Sequence, residues 1–324
     1  MNRRDLLLTS AALPFAMANA QSQSTPRPFP TKPVRLIVPY PTGTTTETFA
    51  RVMARKLSDL WGQPVVVDVI TGAGGVVGSQ VVATAPLDGY TLGWIANAHA
   101  INAALYRNLP FDTVGSFRPI ASLVSVPLIL AATPTFEGSS VADLVKAAKA
   151  RPGEVEFGSL GNGSGMHLAM ERFAAAAGIK LKHIPYKSSG QLITDLVAGR
   201  IRVGALGLSL ALPQTQSGNL KALGITSTTR SALAPAVPTI SESIPGFEFV
   251  TWNGLVAPKG TPDVVVRSIA KDALGIMKEE SMQETLSKLG VQADVMDSEL
   301  FARRIESDIR IFRKVVADAN IQID

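Results

Sequence analysis

The chain has 324 residues, 46% of them hydrophobic and 18% charged, with a formal net charge of +5. That much apolar material offsets chain entropy and excludes wholesale disorder, and the length accommodates two domains of about 100–200 residues each. There is no cysteine, which excludes disulfides, thiol catalysis, Cys-ligated zinc and iron–sulfur clusters; the basic excess is scattered rather than gathered in runs, which argues against nucleic acid as a partner.

Residues 1–20 read as an export signal. Arg3 and Arg4 precede an apolar stretch from Leu6 to Ala18, and Ala18-Asn19-Ala20 forms a small-x-small cleavage site. The stretch is shorter than the roughly 20 residues of a spanning helix and contains Pro14, so cleavage is expected rather than anchoring. Arg3-Arg4 leaves the twin-arginine and general secretory routes both open. With no cysteine to carry a lipid, the expected address is the periplasm of a double-membraned bacterium.

After a Ser-, Gln- and Pro-rich leader at 21–33, a strand is expected at 35–39. Phe49, Met53, Leu57 and Leu60 then recur at helical spacing and predict a helix over 45–61. A strand at 65–69, a glycine loop, a helix at 76–84 and a strand at 91–96 continue the alternation that marks a parallel α/β sheet. It resumes with a helix at 140–150, a strand at 155–159, a helix at 167–177, a strand at 182–185, a helix at 191–198 and strands at 203–206 and 220–225. Thr261-Pro262 predicts a helix reaching about 278 with proline at its first position. Phe301, Ile305, Ile309, Phe312 and Val316 mark one face of a last helix. Two β-rich stretches, 120–132 broken at Pro127 and 247–257, are candidate crossings. They divide the chain into one α/β lobe of 31–126 plus 250–324 and a second of 127–249.

Three strand-to-helix turns attract attention. Val38-Pro39-Tyr40-Pro41-Thr42-Gly43 is echoed by Ile184-Pro185-Tyr186-Lys187-Ser188-Ser189-Gly190. Each feeds a helix amino end, where unpaired N–H groups and the helix dipole favour an anion, so facing turns would clamp a carboxylate. Gly161-Asn162-Gly163-Ser164-Gly165 is the third, with Ser164 placed to cap or donate and His167 to give one neutral hydrogen bond. Thr44 and Glu47 have capping-box spacing, and Glu47 is read either as a cap or as a contact to a ligand amine or hydroxyl. The loop Gly72-Ala73-Gly74-Gly75 lacks the lysine of a phosphate loop and is set aside. Gly207-Leu208-Ser209-Leu210-Ala211 approximates a nucleophile elbow, but every histidine precedes Ser209, opposite to the order such hydrolases need, and the stretch reads as a loop. His99, His167 and His183 form no metal motif, and no cofactor is implied.

The sequence resembles the Bug family, the periplasmic receptors of tripartite tricarboxylate transporters. The resemblance rests on Val38-Pro39-Tyr40-Pro41, Gly62-Gln63-Pro64-Val65-Val66-Val67, Gly72-Ala73-Gly74-Gly75, Asp88-Gly89-Tyr90-Thr91-Leu92, Gly161-Asn162-Gly163-Ser164 with His167-Leu168-Ala169, Ile184-Pro185-Tyr186-Lys187 and Trp252-Asn253-Gly254-Leu255, in order along nearly the whole mature chain. It implies a flytrap fold, two α/β lobes with crossing strands that close on a ligand. The implied first-lobe contacts are Tyr40, Thr44, Thr45, Thr46, Glu47, Asn97 and His99; the second-lobe contacts are Asn162, Gly163, Ser164, Tyr186 and Gly207, joined by His167.

It further implies a non-catalytic, monomeric receptor that hands a small aliphatic or aromatic mono- or dicarboxylate to membrane permease subunits. Where relatives often carry an acid after the strand ending near Ala205, this chain has Leu206-Gly207, which argues against an amino-acid ligand whose ammonium needs a carboxylate. Two other classes fit the same sequence: an exported hydrolase using Ser164 or Ser209, and a ligand sensor that docks on a signalling partner.

Overall fold

The computed structural model describes residues 29–322; the signal reading of 1–20 and most of the leader lie outside the described residues. Alternation in the first third becomes a parallel sheet. Strand β1 (Val34–Val38) is joined through helix α1 (Thr45–Trp61) to β2 (Val65–Val69), and through α2 (Val76–Ala83) to β3 (Thr91–Ala96); β2 and β3 flank β1, both parallel to it. Helix α1 buries Phe49, Met53 and Leu57. Leu60, the expected fourth member of that stripe, is 57% exposed, because the helix stops at Trp61 on a left-handed Gly62. A short helix α3 (Ala98–Leu105) follows β3 directly.

Strand β4 (Phe117–Ala132) is a single 16-residue strand, where the sequence predicts a break at Pro127. Proline is tolerated because the ladder with β9 ends at Pro127 and the ladders with β7 and β8 begin at Leu128 and Ile129, so the missing N–H falls at the hand-over between ladders. Beyond it come α4 (Val141–Ala150), β5 (Glu156–Ser159), α5 (Gly165–Ala177), β6 (Lys182–Pro185), α6 (Ser189–Val197), β7 (Val203–Gly207), α7 (Leu208–Gln216) and β8 (Lys221–Ile225). β5 is parallel to β6 and β7, while β7 and β8 run antiparallel to the far half of β4. Residues 207–211 are therefore a strand end and a helix start, not a loop.

The chain returns along β9 (Val250–Pro258), antiparallel to both β3 and the near half of β4. It ends with α8 (Asp263–Ile276), α9 (Glu280–Leu289), β10 (Gln292–Met296) on β4, and α10 (Ser298–Asp318). Pro262 is the cap of α8 rather than its first residue. The result is a curled sheet in order β2-β1-β3-β9-β4-β7-β5-β6, with one βα lobe on β1–β3 and another on β5–β7. Helix α10 braces the middle. Phe301, Ile305, Ile309 and Phe312 are buried on it, Phe301 meets Trp252 edge-on at 5.2 Å, and Trp252 Nε1 donates to buried Asp308 Oδ2 at 2.6 Å. Val315, rather than the expected Val316, completes the buried face.

Candidate functional site

The carboxyl ends of β1 and β3 and the turn after β5 converge on a cavity of about 320 Å³. Its walls are Pro39–Pro41 after β1, the loop 71–75, Asn97, Ala98, Ile101 and Asn102 at the start of α3, and Gly163–Gly165 at the start of α5. Both lobes contribute, and no charged side chain is among these residues. The loop 71–75 is shaped by consecutive left-handed residues, Ala73, Gly74 and Gly75 with φ of 45°, 63° and 102°. Asn102 Nδ2 donates to Gly74 O at 3.0 Å and locks the loop against α3. The loop lacks the lysine of a phosphate loop, and its signal in the sequence is the glycine cluster ahead of a helix.

Two helices point their amino ends here. Ser164 caps α5, its hydroxyl accepting from His167 N–H at 3.2 Å, and the N–H groups of Gly165 and Met166 have no acceptor among the described residues. Asn97 caps α3 in sequence position; its own N–H goes to Trp252 O at 3.2 Å and its Nδ2 to Val250 O at 3.2 Å, which ties α3 to β9. Unpaired first-turn N–H groups and aligned dipoles give an uncharged wall with positive potential, suited to a carboxylate.

Of the residues expected at the site, Tyr40, Asn97, Gly163 and Ser164 line the cavity; the others do not. Tyr40 does not reach across it, because its hydroxyl accepts from Ala96 N–H at 2.8 Å, and burial holds the phenol neutral, well above its ordinary range. Tyr186 turns back onto α6, donating to Asp195 Oδ2 at 3.1 Å; burial, then that carboxylate, pushes its pKa up to about 12. Each of the two Pro-Tyr rings is thus held by its own lobe. The helix ends that meet are those of α3 and α5.

Thr44 caps α1, accepting from Glu47 N–H at 3.2 Å and donating to Pro41 O at 2.9 Å. Glu47 is buried and spends Oε2 on Gly43 N–H at 3.1 Å and Oε1 on Arg51. Its reciprocal bond lands on Gly43 rather than Thr44, whose N–H goes to Pro41 O. Thr45 and Thr46 are partly buried in the first turn of α1, outside the cavity walls. Asn162 is exposed and Gly207 ends β7.

His99 faces the opposite way, into Phe111 and Phe117, with ring centroids at 5.9 and 4.7 Å. Nε2 meets Thr113 O at 2.9 Å, and burial pushes its pKa down to about 4. His167 also points away from the cavity. Its Nδ1 accepts from Gly163 N–H at 3.1 Å and its ring stacks on His183 at 3.8 Å.

The hydrolase arrangement is not assembled among the described residues. Ser164 Oγ meets the backbone N–H of His167, not an imidazole nitrogen, and Ser209 is exposed without a side-chain hydrogen bond. Among the described residues the one Ser–His ring hydrogen bond, Ser159 Oγ to His183 Nε2 at 2.6 Å, involves a fully buried serine. No group of three potential metal ligands exists among the described residues, and none of the described helices is long and apolar enough to cross a membrane.

The family described as "Tripartite tricarboxylate transporter family receptor" matches residues 49–321. Protein BugT of Bordetella pertussis is 33% identical over 298 residues, covering 91% of each chain. The solved structure of Rpa4515 from R. palustris with adipate aligns with TM-score 0.77 at 32% identity, covering 91% of this chain and 99% of that one. MatC (Rpa3494) from Rhodopseudomonas palustris with bound malate aligns with TM-score 0.71 at 26% identity, covering 89% and 100%.

Proposed function

Because the chain belongs to the tripartite tricarboxylate transporter receptor family, a family of periplasmic solute-binding proteins, we propose that it captures a small carboxylate between its lobes and delivers it to the membrane permease of such a transporter. The observation that carries this reading is the uncharged cavity at which the amino ends of α3 and α5, one from each lobe, present unpaired N–H groups. An ionised carboxylate satisfies such groups through charge-assisted hydrogen bonds without an arginine. Pro39, Pro41 and Ile101 supply an apolar floor for a hydrocarbon linker. The absence of a carboxylate in the wall disfavours an ammonium-bearing ligand. Adipate in Rpa4515 and malate in MatC support an aliphatic dicarboxylate as the first choice.

The lobes proposed to close are residues 31–126 with 250–324, and 127–249. The ladder exchange at Pro127 and the start of β9 at Val250 support hinges at those places. Gly165→Trp tests the location. A Cβ there meets nothing within 4 Å, so the side chain can enter the cavity without backbone strain. The folded variant is expected to lose carboxylate binding in equilibrium dialysis; retained binding places the ligand elsewhere.

A further inference from the structure

The turn that brings Gly163 and Ser164 to the cavity is held from behind by two histidines that the proposed binding step does not use. His167 Nδ1 accepts the Gly163 N–H at 3.1 Å, which requires an unprotonated Nδ1. Ser159 Oγ receives the Gly161 N–H at 3.2 Å, lies 3.5 Å from Ser164 Oγ, and is itself fixed by His183 Nε2 at 2.6 Å. The two rings stack at 3.8 Å and 10°, with Phe157 beside them at 5.0 and 5.9 Å. Both ends of the Gly161–Ser164 turn thus hang on one imidazole pair.

Charge on the pair acts directly on this arrangement. A proton on His167 Nδ1 sets a donor against the Gly163 N–H, and a proton on both rings places like charges a ring-stacking distance apart. Few ionised groups relieve it. On α5, Glu171 Oε1 is 3.6 Å from His167 Nε2, and Arg172 interacts with Glu248 and with Arg304 and Asp308 of α10. Lys182 of β6 is paired with Glu156 of β5, and Asp195 of α6 with Arg200 and Tyr186; β7 carries no charge.

We propose that His167 and His183 are positioning residues of the second-lobe cavity turn, acting as a neutral stacked pair, so that protonation of the pair releases the turn and with it the ligand. The release of ligand rests on the carboxylate-binding reading above; the hold on the turn does not. In keeping with the geometry, burial first and His167 second press the pKa of His183 down to about 4.

The test is a nitrogen-15 and ring-proton NMR titration of the full mature chain from pH 7.5 to 3.5, on wild type and His183→Gln, with adipate affinity measured across the same interval. In wild type the Gly161 and Gly163 amide signals are expected to move with the imidazole Cε1–H signals, and adipate affinity to fall at least tenfold through that interval. His183→Gln keeps a polar atom for Ser159 but removes the second charge, so both the amide transition and the loss of affinity should shift together in pH. Comparing the two proteins cancels the titration of adipate itself. Rings that titrate while both amides stay still would overturn the proposal, as would an interval left unmoved by His183→Gln in a folded protein. Amides that follow the rings in a protein that binds no adipate would support the positioning role and count against adipate as a ligand.

Discussion

Glu47→Gln separates a helix cap from a ligand contact. In the structure Glu47 Oε2 accepts the Gly43 N–H and Oε1 meets Arg51, whose side chain is 51% exposed. Glutamine keeps the length and one oxygen for Gly43. What is lost is the charge at the amino end of α1, about 0.3–1 kcal/mol, and an i,i+4 ion pair with a half-exposed partner, about 0.3–0.5 kcal/mol. The sum, about 1 kcal/mol, should lower Tm by about 1–2 °C for a chain of this size. Ligand affinity should change less than twofold, since Glu47 is not in the cavity wall. Differential scanning calorimetry and binding calorimetry on the same preparation read both quantities. A tenfold loss of affinity, about 1.4 kcal/mol, with Tm unchanged would refute the capping argument.

Other perturbations follow from the same geometry. At Gly78 an added Cβ would sit 2.5 Å from Ile70 O and 2.9 Å from Pro39 Cβ; Gly78→Ala should therefore destabilise by about 1–3 kcal/mol and displace the Pro39–Pro41 turn, read by denaturant midpoint and by weakened carboxylate binding. His99 is fully buried with its pKa lowered from 6.5 to about 4. The unfolded chain takes up a proton there that the folded chain refuses, so about 3 kcal/mol of stability is present above pH 6.5 and lost as pH falls to about 4; urea midpoints across that range should fall accordingly, and a flat profile would contradict it. Tyr186→Phe removes the bond to Asp195 and should cost about 1 kcal/mol of stability while leaving ligand affinity within twofold, because the hydroxyl points into its own lobe.

Local signals in the sequence located most elements but not the direction in which side chains point. Thr44, Ser140, Ser164 and Ser188 all cap helices through their hydroxyls, as short-range chemistry requires, and the alternating apolar runs give the parallel strands. Helix α3 was not legible: Ala98–Leu105 is short and uncharged, and only the single residue Asn97 separates it from β3. The cavity depends on it, because Asn97 and Ala98 reach Gly163–Gly165 only once β9 and β4 carry the chain between lobes. Tyr40 and Tyr186 share a local motif, yet their partners, Ala96 N–H and Asp195, are set by different neighbours. His99 illustrates the same limit, since Phe111, Thr113 and Phe117 draw it away from the turn that Asn97 occupies.

The uncharged wall of helix amino ends is proposed to hold a carboxylate and to admit no ammonium. Isothermal titration of the protein with adipate, malate, an aromatic carboxylate and glutamate measures this. Saturable one-to-one binding of at least one of the first three and none of glutamate is expected; no saturable binding of any carboxylate, or glutamate binding as tightly as its ammonium-free counterparts, would contradict this arrangement.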